Sequence, residues 1–202
     1  MRVRKKIRFL LFVVILVLLI LNGKAIGRVF YPIKYGEQVQ KYSKQYNLNP
    51  YLVASVIKVE SNFEKDAVST KDARGLMQLT PSTAKWVAEK LDIENFNIDM
   101  LYITDINIEM GCWYLNDLRK EFGSDMKVVL AAYNGGRGNV NKWLNNNENS
   151  KDGVSLHYIP FKETDQYVKR VEVYYNLYKL LYTEDKGYIE SIKKIIHSFF
   201  SK

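Results

Sequence analysis

The chain has 202 residues, enough for one domain with a buried core plus appendages and too few for two full domains. Its formal net charge is +8, but Arg2, Arg4, Lys5, Lys6 and Arg8 supply five of those charges, so only three are left for everything downstream. That balance argues against a nucleic-acid binder, because the basic stretch is better explained as the flank of an apolar segment.

Phe9 to Leu21 is an unbroken apolar run, and basic residues flanking such a segment are retained on the cytoplasmic side of a membrane. The run is shorter than the roughly 20 residues that span hydrocarbon, unless Ile7 and the stretch Asn22 to Ile26 contribute, and its length suits a cleaved signal peptide equally well. Gly23-Lys24-Ala25 is a poor cleavage site, and no cysteine follows to accept a lipid. The expectation is therefore an uncleaved signal anchor and linker over residues 1–30, a transmembrane helix with the remaining chain on the cell-wall side. Gly23 to Gly36, with three glycines and Pro32, reads as a linker.

From Glu37 the pattern is helical. Val39, Tyr42 and Tyr46 recur at helical spacing, and Asn49-Pro50 is a cap followed by proline at the first helical position, ahead of the stripe Leu52, Val53, Val56 and Ile57. Thr80-Pro81 repeats that signal before Ala84, Val87, Ala88 and Leu91. Thr104 to Arg119 carries Ile108, Cys112, Leu115 and Leu118 on one face, where Cys112 reads as a small buried residue. Asp125 opens a helix that stops at Asn134-Gly135-Gly136. Asn145 to Gly153 is polar and reads as mobile, and Tyr167 to Tyr182 is a last, tyrosine-rich helix. With no period-two stretch and no internal repeat, the fold class is all-α, mainly helical. After Asp185-Lys186-Gly187 the apolar residues Tyr188, Ile189, Ile192, Ile195, Ile196, Phe199 and Phe200 form an amphipathic tail, suited either to packing on the domain or to a membrane surface.

Glu60 follows Ile57 and Val56 by three and four residues, so it shares their apolar face. Burial there raises a carboxyl pKa, and the negative end of a helix stopping near Asn62 acts the same way. Such a group can stay protonated near neutral pH and serve as a general acid; pairing with an inward Arg or Lys is the alternative this argument leaves open. Gly75-Leu76-Met77-Gln78-Leu79 and Ala131-Ala132-Tyr133-Asn134-Gly135-Gly136 each set polar or adaptable side chains at the end of a helix, good ground for binding residues. His157 and His197 are isolated, so the sequence points to no metal and no other cofactor.

Together these segments resemble the catalytic domain of the soluble lytic transglycosylase (SLT) family, across roughly Glu37 to Tyr182. Four elements stand in the family's order: Glu60-Ser61-x-Phe63; Gly75-Leu76-Met77-Gln78-Leu79 followed by Pro81, Thr83 and Ala84; Ala132-Tyr133-Asn134-Gly135-Gly136; and Ile159-Pro160-x-x-Glu163-Thr164-x-x-Tyr167-Val168. Asn107-Ile108-x-x-Gly111-x-x-Tyr114-Leu115 matches as well and reads as structural. Lys65 and Asp72 depart from the proline and glycine common at those places.

The resemblance implies a goose-type lysozyme-like fold over residues 37–182, with residues 183–202 as the tail. It implies a peptidoglycan lytic transglycosylase with Glu60 catalytic, Ser61, Tyr133 and Asn134 orienting, and Met77, Gln78, Glu163 and Tyr167 holding sugars. The partners are then peptidoglycan strands and the cytoplasmic membrane, with no nucleic acid. A lysozyme-like muramidase, with Asp66, Asp72 or Glu163 as a second acid, is the alternative, as is an inactive glycan-binding assembly protein.

Overall fold

The computed structural model describes residues 2–183. Nine helices are found there: α1 (Arg2–Leu21), α2 (Gly23–Phe30), α3 (Gly36–Gln45), α4 (Pro50–Ser61), α5 (Pro81–Lys90), α6 (Thr104–Phe122), α7 (Met126–Gly135), α8 (Arg137–Leu144) and α9 (Lys162–Tyr182), with a 3-10 turn over Ile98–Tyr102. No strand forms among the described residues; two isolated bridges, Val68 with Arg74 and Arg74 with Leu79, pin the long loop between α4 and α5. The amphipathic tail lies outside the described residues.

Helix α4 is the axis of the main unit, residues 33–177. Leu52, Val53, Ala54, Ser55, Val56 and Ile57 are all buried in succession, as expected of a helix surrounded on every side. Its start is fixed by Asn49, whose side chain accepts from the Tyr51 amide at 2.9 Å, with Pro50 next. It ends where Asn62 turns left-handed at φ 53°. Burying each of the larger aliphatic side chains contributes about 1.5–3 kcal/mol, so the register of α4, and with it the place of Glu60 in its last turn, is strongly determined. Helix α3 packs on α4 and α6, while α6 also meets α5 and α7. Thr80 caps α5 and Asp125 caps α7, as their sequences indicate.

Two loop readings need correction. Gly23 to Phe30 is helical and not a linker, because α2 finds partners within its own unit, which joins α1 and α2 to the end of α9 from Tyr178 onward. Gly27 lies against Leu181, and Arg28 Nε donates to the Leu181 carbonyl at 2.8 Å. The Tyr182 hydroxyl donates to the Tyr31 carbonyl at 3.0 Å. Asn145 to Gly153, expected to be mobile, is pinned instead. Asn149 and Ser150 are buried, and the Asp152 carboxylate accepts from the Val154 and Ser155 amides at 2.9 and 2.8 Å.

Among the described residues no helix is long and apolar enough to cross a membrane. The reason is visible in α1: its 20 residues include the five basic ones, and the apolar remainder from Phe9 rises only about 20 Å at 1.5 Å per residue, against a hydrocarbon layer of about 30 Å.

Candidate active site

Glu60 sits on the last turn of α4, partly open to solvent. Burial of its carboxyl pushes the pKa up to about 7; Tyr167 and the positive Arg170 oppose that shift, and Glu163 reinforces it. Two phenols flank the group. Tyr167, on α9, is buried, and its hydroxyl has no partner at normal hydrogen-bond geometry; it faces Glu60 closely enough to favour the carboxylate form. Tyr133, on α7, has its own ionisation suppressed first by burial and then by the charge of Glu60. The site thus holds one carboxyl whose two protonation states are close in energy at neutral pH.

The loop from Ala67 to Leu79 forms the neighbouring wall, and a network of amides and hydroxyls holds it. The Ser61 hydroxyl donates towards the Leu76 carbonyl at 2.8 Å and the Ile57 carbonyl at 3.2 Å, so what it orients directly is the loop. Gln78, at φ 48°, donates its amide to the carbonyls of Gly75 and Ala67 at 2.9 and 3.1 Å. Met77, expected on the cleft wall, is fully buried instead, its side chain packed on Gly111 of α6, where a larger residue would collide with it. Its backbone carbonyl accepts from the Tyr133 hydroxyl at 2.8 Å. Asp72, where the family commonly has glycine, takes φ 59° and accepts from Arg74 Nε at 3.0 Å.

Asn134, at the end of α7, accepts from the buried Thr164 hydroxyl at 2.8 Å, which ties α7 to the start of α9. Glu163 is exposed at the rim, paired with Lys71 at 3.2 Å. Asp66 and Asp72 are also exposed, the first 4.0 Å from Lys65 and the second 3.0 Å from Arg74. Among the described residues no group of three or more His, Cys, Asp or Glu side chains could hold a metal ion. A cavity of about 630 Å³ along α5, lined by Lys85, Glu89 and Phe96 among others, includes none of the residues around Glu60.

Sequence reasoning named Asn107 only within a motif read as structural, and gave Thr164 and Arg170 no part of their own. Asn107 is fully buried and makes three bonds: its oxygen accepts from the Met77 amide at 2.8 Å, and its nitrogen donates to the carbonyls of Leu101 and Arg74 at 2.9 and 3.0 Å. A polar residue on the apolar face of α6 was the available signal. Thr164 and Arg170 lie within or beside the Glu163 to Val168 motif, and their spacing from Tyr167 on one helix could have found them.

Comparison with known proteins agrees with this geometry. Residues 37–155 match the family model described as the transglycosylase SLT domain, and the chain belongs to that family. It is 30% identical over 151 residues to the soluble lytic murein transglycosylase of Salmonella typhimurium, covering 74% of this chain and 23% of that protein. It is also 30% identical over 130 residues to the membrane-bound lytic murein transglycosylase C of Yersinia pestis, covering 60% of this chain and 36% of that one. The crystal structure of the 70 kDa soluble lytic transglycosylase of Escherichia coli superposes with a TM-score of 0.67 at 27% identity, over 76% of this chain and 25% of that one. The chain thus spans about a quarter of the soluble relatives, and its mainly helical fold is the lysozyme-like one that the resemblance implied.

Proposed function

We propose that this domain is a peptidoglycan lytic transglycosylase in which Glu60 acts in turn as acid and base. The observation that carries the reading is the Glu60 carboxyl itself, raised to about 7 by burial and flanked by Tyr133 and Tyr167. Protonated Glu60 gives its proton to the oxygen joining N-acetylmuramic acid to N-acetylglucosamine, and the bond from C1 to that oxygen breaks with its electron pair on the oxygen. The carboxylate then takes the proton of the muramic C6 hydroxyl as that oxygen bonds to C1. One C–O bond breaks and one forms, the first proton stays on the leaving hydroxyl while the C6 hydroxyl proton restores Glu60, and a 1,6-anhydro ring results without water.

One carboxyl suffices because the nucleophile is tethered to its own substrate, and well-oriented intramolecular attack can lower a barrier by about 7–11 kcal/mol. The muramidase alternative calls on Asp66, Asp72 or Glu163, and the exposure of all three and their pairing with cations favour the transglycosylase. An idle glycan holder has no use for a carboxyl tuned to neutral pH. Tyr133 and Tyr167 orient Glu60, Asn134 and Glu163 meet the glycan, and Ser61, Met77 and Gln78 serve by fixing the loop.

On this reading residues 37–182 are the catalytic domain, residues 1–30 hold the protein at the outer face of the cytoplasmic membrane, and residues 183–202 are an appended tail. Support for the membrane comes from the basic flank of the apolar run. Recovery of the full chain from the membrane fraction tests that assignment, and a soluble protein beginning near Ile26 refutes it. Loss of turbidity of purified cell walls tests the function: wild type clears them and Glu60→Gln does not. Equal clearing by the variant removes Glu60 from the mechanism.

A further inference from the structure

At the end of α4 away from Glu60 the main unit carries a cavity of about 420 Å³. Asn49, which caps α4, is among its lining residues, and Glu60 lies in the last turn of the same helix, about 16 Å further along at 1.5 Å per residue. Leu52, Leu130 and Val171 are buried and give the cavity an apolar wall, with Met126 beside them. None of the residues around Glu60 lines it. Its volume falls within the roughly 300–1,000 Å³ of small-ligand sites.

Two charged side chains also line this cavity. Arg119, in the last turn of α6, donates to the carbonyls of Asn47 and Tyr46 at 2.7 and 3.4 Å and to the Asn116 side-chain oxygen at 2.8 Å. Those acceptors are neutral, so the guanidinium keeps its charge. Glu172, next to Val171 on α9, is exposed. Among the described residues no carboxylate pairs with Arg119 and no cation pairs with Glu172. An apolar wall with one cation and one anion left over is complementary to a ligand that has an apolar body and both charges. A carboxylate meets a guanidinium through paired N–H···O bonds, and an ammonium donates to a carboxylate. A sugar offers neither charge, and a fatty anion leaves Glu172 unanswered.

We propose that this cavity binds a short apolar peptide with free ends, its carboxylate on Arg119, its ammonium on Glu172 and its hydrocarbon side chains against Leu52, Leu130 and Val171. The site takes no part in bond cleavage and does not rest on the transglycosylase reading. Its walls belong in part to α4, α7 and α9, the helices that carry Glu60, Tyr133 and Tyr167. The peptide is therefore held by the frame of the cleavage site and not by its reacting groups.

The test is titration of the full chain, labelled at its methionine methyl groups, with the dipeptide leucyl-leucine and with its N-acetylated and C-amidated forms. In wild type the Met126 methyl resonance shifts and saturates with the free dipeptide, and each blocked form binds roughly tenfold more weakly, the worth of one hydrogen bond to a charged group. Glu172→Gln binds the free dipeptide as weakly as wild type binds the acetylated one, and acetylation weakens it no further. Arg119→Met behaves likewise towards amidation. No saturating shift in wild type, equal affinity for free and blocked dipeptides, or a full acetylation effect in Glu172→Gln overturns the site. Arg119 also ties down the turn before α4, so its variant can fail to fold; Glu172 is exposed and unpaired, and the acetylation arm decides the matter alone.

Discussion

The Tyr133 hydroxyl donates to the Met77 backbone carbonyl at 2.8 Å, and through that bond the end of α7 holds the loop that walls the Glu60 site. Tyr133→Phe keeps the ring against Tyr114 but orphans the carbonyl, so stability falls by about 1 kcal/mol. Wall-cleaving activity falls further than that loss accounts for, because the phenol also flanks Glu60. Urea unfolding alongside initial cleavage rates checks both; a rate that keeps its wild-type value would confine Tyr133 to a structural part.

On the proposed mechanism the pH dependence of cleavage follows Glu60. Its acid form is needed first, so kcat/KM declines as pH rises through about 7. Arg170 favours the carboxylate and Glu163 disfavours it. Arg170→Gln therefore moves the alkaline limb to higher pH, and Glu163→Gln moves it to lower pH. Rate profiles of the three proteins between pH 5 and pH 9, roughly two units either side of the midpoint, give the two directions; shifts of the opposite sign would contradict the electrostatic account.

The same carboxyl links stability to pH. Its folded pKa of about 7 stands above the ordinary 4.5, so between those values the folded chain holds a proton that the unfolded chain has released. Stability contributed by this group is complete below the lower value and is lost as pH rises to the upper one, by about 3 kcal/mol at most. Glu60→Gln cannot titrate and loses that slope. Urea melts of wild type and variant at about pH 3.5 and pH 8, either side of the window, measure it, and an equal decline in both would assign it to other groups.

Much of this arrangement could be read from the sequence where a local rule and the tertiary structure agree. Asn49-Pro50, Thr80-Pro81 and Asp125 begin helices, since a cap acts within three residues of itself. Glu60 falls where the apolar spacing of α4 puts it. Long-range partners were hidden. Gly23 to Phe30 has the composition of a linker, and its helix is accompanied by contacts to Leu181 and Tyr182, some 150 residues away. Met77 is buried because α6 presents Gly111 to it, and the motif that marks Asn107 as structural does not name the three backbone partners it holds.

Asn107 and Gly75 hold the loop jointly. Gly75 has φ 76°, and a Cβ there would collide with the Leu101 carbonyl and the Asn107 amide. Asn107→Leu takes their Asn107 partner from the Met77 amide and the Leu101 carbonyl, while the Arg74 carbonyl keeps the Leu79 amide, and costs about 2–3 kcal/mol. Gly75→Ala combines backbone strain with a clash against main chain that cannot move aside, for a loss of at least about 2 kcal/mol. Because both act on one loop, the double variant loses less than the sum; additive losses by urea unfolding would mean that the two act independently.

Mass spectrometry of muropeptides released from purified peptidoglycan by the wild-type chain reads out the route of bond cleavage. The expected products are disaccharide-peptides lighter by one water than a hydrolase gives, with 1,6-anhydromuramic ends that resist borohydride because the closed ring has no reducing end. Products of hydrolytic mass that borohydride reduces would contradict that route and establish a muramidase.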